Sequence, residues 1–533
     1  MLSDAEKSKL RSLIFRHLDG MPVAATINSL ARKGILELFV QRKDLLLSDI
    51  QQQTNANEGY LNIALRLLCS QGWLKRDRIG LDLKYTITPE GEEVFQAKGV
   101  YECICELRSI AVSFWNKFEN GFTVADVETL EDMVTLKAQN WKLDFYDLSD
   151  NARYQVQCHL DGNVVGPLLV SLGMSGLAAE MVQSGKIVDR LVEHQIGDIL
   201  KAMIIRLGWL DSAGNLNDVG IFMLKRASAY GVTTSYFQTF AWIPELLFGK
   251  ADKLWDKAPG APEIHVDRTM NVWGSGGAHS TYFKVVDEVV REIFNRPIEE
   301  QPRGIADMGC GNGAFLQHLY ELVVTETERG KVIDEYPLLI IGSDFNEAAL
   351  VSTKITLDNA GIEHVALHGD IGNPDALSAE LKEKYDIKLG ELLNVRSFLD
   401  HNRVFSPCEQ SFESRKGTTT GAFAFRGRRV NAEEIEQNLC EHFKKWSNYV
   451  ERFGLLVIEL HTIPPSVAAA NPGRIAITAY DGTHGYTDQY IVEHDVFVRM
   501  ALEAGLVPDK NHQTMYPNPD MAVVSINLFS SGK

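Results

Sequence analysis

Cysteine pairing is the first thing this sequence lacks: its seven cysteines are scattered, and none stands in a CxxC spacing. An odd, scattered set in a long acidic chain implies reduced thiols and a cytoplasmic setting, not a disulfide framework. Positive charge is also scarce, with 53 Lys and Arg against 71 Asp and Glu, a net of −18. Nucleic acid and anionic membranes both require a basic footprint, so bulk binding to either is excluded. No apolar run reaches about 18 residues, so no membrane span is expected. The N-terminus, MLSDAEKSKLRSL, is charged where a leader would be apolar, so no signal peptide is expected. What is present is ordinary for a globular protein: 45% apolar and 23% charged residues over 533 positions. That length holds roughly two to four domains.

Residues 21–97 predict helices closed by a small hairpin. MPVAATINSLARKGILELF has helical apolar spacing, and LSDIQQQTNANEGYLNIALRLLCSQGWL predicts two further short helices. KRDRIGLDLKYTITPEGEEVF then predicts two strands and a closing helix with Pro89 in its first turn. That order is the order of a winged helix. A DNA reader needs a basic third helix, whereas GYLNIALRLLCSQ carries only Arg66, which favours dimerisation or packing as a substrate cap. The pattern recurs: residues 19–35 align with 161–177 at one constant offset, and Gly72-Trp73-Leu74 returns as Gly208-Trp209-Leu210. A winged-helix-like domain is therefore expected over 1–100, and a helical lid with a second such unit over 101–260.

Over 261–533 strands and helices alternate, which implies a parallel sheet. In GIADMGCGNGAFLQHLYELV a short apolar strand ends at Asp307, and Gly309, Gly311 and Gly313 follow before an amphipathic helix. Glycine permits positive φ and lets backbone N–H groups approach a ligand with no Cβ in the way. The spacing D-x-G-x-G-x-G is that of the first motif of class I S-adenosylmethionine methyltransferases, and differs from the G-x-G-x-x-G of dinucleotide folds. PLLIIGSDFNEAAL ends a second strand at Asp344, with Phe345 beside it, where a carboxylate can hold ribose hydroxyls. HVALHGDIGNP ends a third at Asp370, placed for the adenine amine, with Ile371 placed for the adenine face. Each acidic residue alone is more often a cap or turn residue, but three in succession mark the cofactor edge of a doubly wound sheet. The expected fold is α/β: a class I, Rossmann-like methyltransferase core with a mainly helical, winged-helix-like N-terminal lid. TETERGKVIDEYP reads as a surface insertion, and TMYPNPDMAVVSINLFSS as a closing hairpin.

Substrate chemistry belongs at the ends of the fourth and fifth strands. After the fourth, NVRSFLDHNRVF offers Asp400 and His401; the fifth, LLVIELHTIPP, ends in His461. AITAYDGTHGYTDQYIVEHDVF adds His484, Tyr486, Asp488 and Gln489. A lone histidine is usually a satisfied core or surface group, but three polar clusters on one rim mark a site. Two chemistries can use them. A histidine can serve as general base, as in O-methyltransferases, or His461 with an amide or carboxylate oxygen can hold a divalent metal.

With NVWGSGGAHSTYF (271–283), DMGCGNG, RSFLDHNR, ELHTIPP and HGYTDQY, essentially the whole chain resembles one family. It is similar to the N-terminal methyltransferases of polyketide-synthase loading modules of the apratoxin, gephyronic acid and saxitoxin type. The resemblance implies S-adenosylmethionine, a mononuclear iron or manganese, and C-methylation of malonyl on an acyl carrier protein. It implies His461 and Gln489 as metal ligands; beside them, Asp400 and His401 could orient the ligand or move the proton, and Tyr486 is a further catalytic candidate from its place in the third polar cluster. It also implies a downstream GNAT-like domain of the same synthase as a partner; the chain stops at Lys533, so an excised domain is expected. SRKGTTTGAFAFRGRRV (414–430) is a basic stretch that could receive the carrier or its phosphopantetheine, or be a solvated loop. Two further readings stay open: a metal-free O-methyltransferase with His461 or His401 as base, and a winged-helix regulator that senses S-adenosylmethionine.

Overall fold

Ser3 starts the first helix, Asp4–Arg32: its hydroxyl accepts the Glu6 N–H, while the Glu6 carboxylate accepts the Ser3 N–H at 2.8 Å. Such reciprocal caps satisfy donors that a helix start leaves open. The computed structural model describes residues 2–257 and 263–532, without the side chains of residue 106 and of 277–281. The expected boundary at residue 261 lies outside the described residues. Two compact units form, one of Met1–Ala278, Ala422–Arg429 and Pro464–Asp488, the other of His279–Gly421, Val430–Ile463 and Gln489–Lys533. The fold class is the expected one, an α/β methyltransferase core with a mainly helical N-terminal region.

In the first unit a winged helix follows the opening helix. Helix Ile35–Arg42, β1 (Asp44–Leu46), helices Leu47–Thr54 and Glu58–Ser70, β2 (Leu74–Ile79), β3 (Asp82–Ile87) and helix Pro89–Gln96 succeed one another. Strand β3 lies between β1 and β2, antiparallel to both. The same order returns after helix Asp150–Met174. Helices Leu177–Ser184, Asp189–Val192 and Gly197–Arg206, antiparallel bridges Lys186 to Asn215 and Leu210 to Leu216, and helix Asp218–Leu224 repeat it. Caps repeat as well: the Thr88 hydroxyl accepts the Gly91 N–H at 3.0 Å, and the Asn217 side chain accepts the Gly220 N–H at 2.9 Å. Where the two long helices cross, Gly20 lies against His159 and Gly162 against His17, each too close to admit a Cβ. The His17 ring meets the Tyr230 hydroxyl at 2.8 Å, and the His159 ring meets that of Tyr101 at 3.0 Å. The crossing is thus built twice, each half supplying a glycine to the other's histidine.

In the second unit GIADM and LLVIEL are buried at every position, as in strands covered on both faces. They become β4 (Gly304–Met308) and β10 (Leu455–Leu460). With β5 (Leu339–Asp344), β6 (Val365–His368), β7 (Leu393–Ser397), β11 (Leu506–Tyr516) and β12 (Val524–Ser531) they form a seven-stranded sheet, ordered β11-β12-β10-β7-β4-β5-β6. From β10 to β6 the strands are parallel, whereas β12 runs antiparallel to β10 and β11. A separate two-stranded hairpin, β8 (Phe423–Phe425) and β9 (Arg428–Val430), falls almost wholly in the first unit. The stretch 325–337, expected as a surface insertion, is anchored by one buried cation. Arg329 donates from Nε to the Tyr336 carbonyl at 2.8 Å and from Nη1 to Gln301 Oε1 at 3.2 Å. No single described helix is long and apolar enough to cross a membrane.

Candidate active site

At the end of β4 the chain turns on Gly309, Gly311 and Gly313, with φ of 77°, 56° and 79°. Such left-handed backbone strains any residue with a Cβ. One oxygen of Asp344 accepts the Gly311 N–H at 3.0 Å and the other the Asn346 N–H at 2.8 Å, so the end of β5 is locked to the turn. Asp307 is buried, its Oδ1 has no hydrogen-bond partner among the described residues, and burial beside Asp344 pushes its carboxyl well above the usual range. A cationic ligand group would relieve that arrangement, and the ammonium of S-adenosylmethionine is one. Phe345 is 65% exposed, 5.3 Å from the His368 ring, free to offer an aromatic face to a base. Asp370 accepts the Gly372 N–H at 2.7 Å, and the Ile371 carbonyl accepts the Trp446 indole N–H at 2.8 Å, which fixes the loop after β6.

Beyond β7 the two adjacent candidates separate. Asp400 is fully buried and turns inward to Arg396 and to His442, whose ring stands 2.8 Å away. Those two neighbours outweigh burial and hold its carboxyl far below the usual range. Arg396 in turn lies over the Trp446 ring at 4.1 Å. Asp400 therefore holds the loop through one oxygen, while its buried Oδ2 has no hydrogen-bond partner among the described residues. His401 turns the other way: its Nδ1 lies 2.5 Å from Glu459 Oε1, and its backbone N–H donates to Glu459 Oε2 at 3.1 Å. The Leu460 N–H donates to Glu459 Oε1 at 2.6 Å, and the Tyr490 N–H to the His401 carbonyl at 2.7 Å. An ionised carboxylate can only accept, so toward Glu459 it is Nδ1 that carries the proton.

His461, expected at the rim, is fully buried. Its Nδ1 donates to the Val492 carbonyl at 3.2 Å, since a carbonyl only accepts, and its Nε2 faces the Ser525 hydroxyl at 2.7 Å. Asn527 donates to Ser525 at 2.8 Å, which leaves the serine proton for His461 Nε2. Burial and the neighbouring His494 push the His461 pKa well below normal, and Phe497 lies edge-on at 5.2 Å. Gln489 is buried in the same unit. Among the described residues no three His, Cys, Asp or Glu side chains gather as a metal donor set. With both His461 nitrogens engaged, these residues as arranged do not fit the mononuclear iron or manganese that the resemblance implies.

The remaining rim candidates belong to the first unit. Tyr486 is buried whole in its core, its hydroxyl 2.9 Å from that of Thr26, and burial raises its pKa. Asp488 accepts from the Tyr60 hydroxyl at 2.8 Å and from the Arg426 N–H at 2.8 Å; burial lifts it to about 6. His484 is turned to the Tyr480 carbonyl at 2.8 Å. Two cations of the basic stretch are ion-paired, Arg415 with Glu503 at 2.9 Å and Arg429 with Glu58 at 3.1 Å, and Arg426 lies over Trp255. Sequence reasoning missed Glu459, although it stands two residues before His461 in the quoted ELHTIPP. A buried acid inside an apolar strand was the available signal.

Comparison with known proteins follows this geometry. The AprA MT2-like domain family matches residues 263–527, the AprA N-terminal domain residues 10–76, and the AprA winged helix domain residues 161–250. Among solved structures, an O-methyltransferase family 2 protein from Planctomyces limnophilus in complex with apigenin is 9% identical, over 100% of this chain and 98% of that one, with a TM-score of 0.38. LepI in complex with S-adenosylmethionine is 12% identical, over 82% of this chain and 100% of that one, with a TM-score of 0.37. The mitomycin 7-O-methyltransferase is 12% identical, over 96% and 94%, with a TM-score of 0.30. No curated protein sequence matches the chain. With all three AprA domains in order along it, the chain belongs to the AprA-type family of S-adenosylmethionine-dependent methyltransferases of polyketide-synthase loading modules.

Proposed function

We propose that the chain methylates the central carbon of a malonyl group carried as a thioester on an acyl carrier protein, in the making of a polyketide starter unit. The carrier and a downstream GNAT-like domain would be its partners in the same synthase. The observation that carries the reading is His401 held by Glu459 at the ends of β7 and β10, in the unit that also holds the glycine turn. A malonyl thioester is acidic at its central carbon because two carbonyls share the developing charge, so an imidazole is base enough. His401 Nε2 takes that proton, and Glu459 offsets the positive charge gained by the ring. The carbanion then attacks the sulfonium methyl: a C–C bond forms, the S–CH₃ bond breaks, and its electron pair stays on sulfur as the neutral thioether of S-adenosylhomocysteine. The proton leaves His401 to solvent. No step is routed through iron or manganese, because both ring nitrogens of His461 are engaged by Val492 and Ser525.

Incubation with malonyl-carrier protein and S-adenosylmethionine, read by intact-protein mass spectrometry, should show methylmalonyl- or dimethylmalonyl-carrier. Treatment with a chelator should leave that product. Methylation of phenolic hydroxyls with none on malonyl-carrier would replace the reading by O-methylation, and loss of activity on chelation would restore the metal.

A further inference from the structure

Three aromatic side chains of the second unit converge at the carboxyl edge of the sheet without a role assigned so far. Tyr282, on helix Arg268–Phe294, lies 5.9 Å from the Phe398 ring and 5.2 Å from the Tyr516 ring, at interplanar angles of 66° and 67°. Phe398 directly follows β7, and its N–H donates to the Ile458 carbonyl of β10 at 2.7 Å. Tyr516 ends β11 opposite Val524, which pairs with Leu460 at the carboxyl end of β10. The three rings are thus gathered at one edge from three separate elements, and all three remain partly exposed.

Two features tie this cluster to the cofactor. Phe398 has a φ of 55°, a left-handed conformation that costs a phenylalanine energy and that surrounding structure must hold in place. Its neighbour Leu399 lies against the glycine turn, with methyl groups 3.0 Å from where a Cβ on Gly309 would stand. The strained residue is therefore one position from the turn that receives the methionine portion of the cofactor. That portion carries a sulfonium cation before methyl transfer and a neutral thioether after it. Aromatic faces attract cations through their quadrupole, and the attraction grows as water is excluded.

We propose that Tyr282, Phe398 and Tyr516 form the receptor for the sulfonium centre and let the site distinguish S-adenosylmethionine from S-adenosylhomocysteine. The inference rests on the family's cofactor and not on the malonyl reading. It gives product release a physical basis: once the methyl has left, the charge the rings hold is gone.

Calorimetric titration of both cofactors tests it. Tyr282→Leu and Tyr516→Leu should each weaken S-adenosylmethionine binding by about three- to thirty-fold and leave S-adenosylhomocysteine binding unchanged. Tyr282→Phe and Tyr516→Phe, which keep the ring face, should bind both as the wild type does. Wild-type protein should itself prefer the sulfonium form, a measurement that needs no variant to fold. Equal losses for the two cofactors, or an unchanged affinity for both, would overturn the proposal, as would a wild type that binds the thioether more tightly.

Discussion

His401 and His461 stand at the ends of adjacent parallel strands, β7 and β10, and both are buried. They differ in what their rings face. His401 faces the Glu459 carboxylate, which gains by any positive charge the ring acquires. His461 faces a carbonyl, a hydroxyl and the Phe497 ring; burial and the neighbouring His494 outweigh the pull of the Val492 carbonyl and push its pKa well below normal. The same side chain thereby meets an acidic group in one place, and in the other is held neutral by its surroundings. The partners differ, and at His461 burial is the largest cause of the downward shift.

The largest effect separates the two. His401→Ala should lower methyl transfer by about two to four decades, the range general-base catalysis supplies. His461→Ala should instead lower stability by roughly 2–4 kcal/mol, through a cavity and an orphaned Ser525. Its turnover should stay within a few-fold of the wild type wherever both are folded. Single-turnover assays paired with thermal melts read both quantities. A His461→Ala protein that is folded yet as inactive as His401→Ala breaks the comparison.

How the residues divide explains what the sequence could and could not reveal. The positions of Asp307, the glycines, Asp344 and Asp370 at the ends of β4, β5 and β6 were legible because the spacing from each strand to its turn is local. The second winged-helix order was legible because Gly72-Trp73-Leu74 and Gly208-Trp209-Leu210 repeat in the sequence. The setting of His461 was not, because its partner Ser525 lies 64 residues on, in an antiparallel strand whose register no local pattern fixes. The surroundings of Tyr486 and Asp488 were not legible for another reason. Both residues follow β10 closely in sequence, yet the segment Pro464–Asp488 folds into the helical unit, where Tyr486 meets Thr26 at a separation of 460 residues. Polar residues clustered along a chain do not by themselves share a rim.

Acid should sharpen the contrast by acting through the histidines that burial holds neutral. His442 is pushed down to about 4 by burial, against the pull of Asp400, and His461 also lies well below normal. Each is neutral in the folded chain but takes up a proton near roughly pH 6.5 once unfolded. The unfolded state therefore binds more protons between those values, so stability falls as pH drops from about 6.5 toward about 4. Denaturant midpoints should decline across that window in the wild type and decline less steeply in His442→Gln. A midpoint flat from neutral pH to about 4 would mean that these rings are not held neutral.

The smallest effect probes the contact that defines His461. Ser525→Ala removes the hydroxyl facing Nε2 and leaves the Nδ1 bond to Val492 intact. One buried partner lost is worth about 1–3 kcal/mol, so the melting temperature should fall by several degrees at most. Methyl transfer should be unchanged, because Glu459 and His401 share no hydrogen bond with this serine. The freed Nε2 lone pair makes the variant a test of what the serine does. If its hydroxyl keeps the ring from coordinating, Ser525→Ala should bind more manganese than the wild type, measured by elemental analysis after gel filtration. Equal metal content in both proteins, with the same small loss of stability, would show that the hydroxyl serves packing alone. A fall in methyl transfer matching that of His401→Ala would place His461 in the chemistry after all.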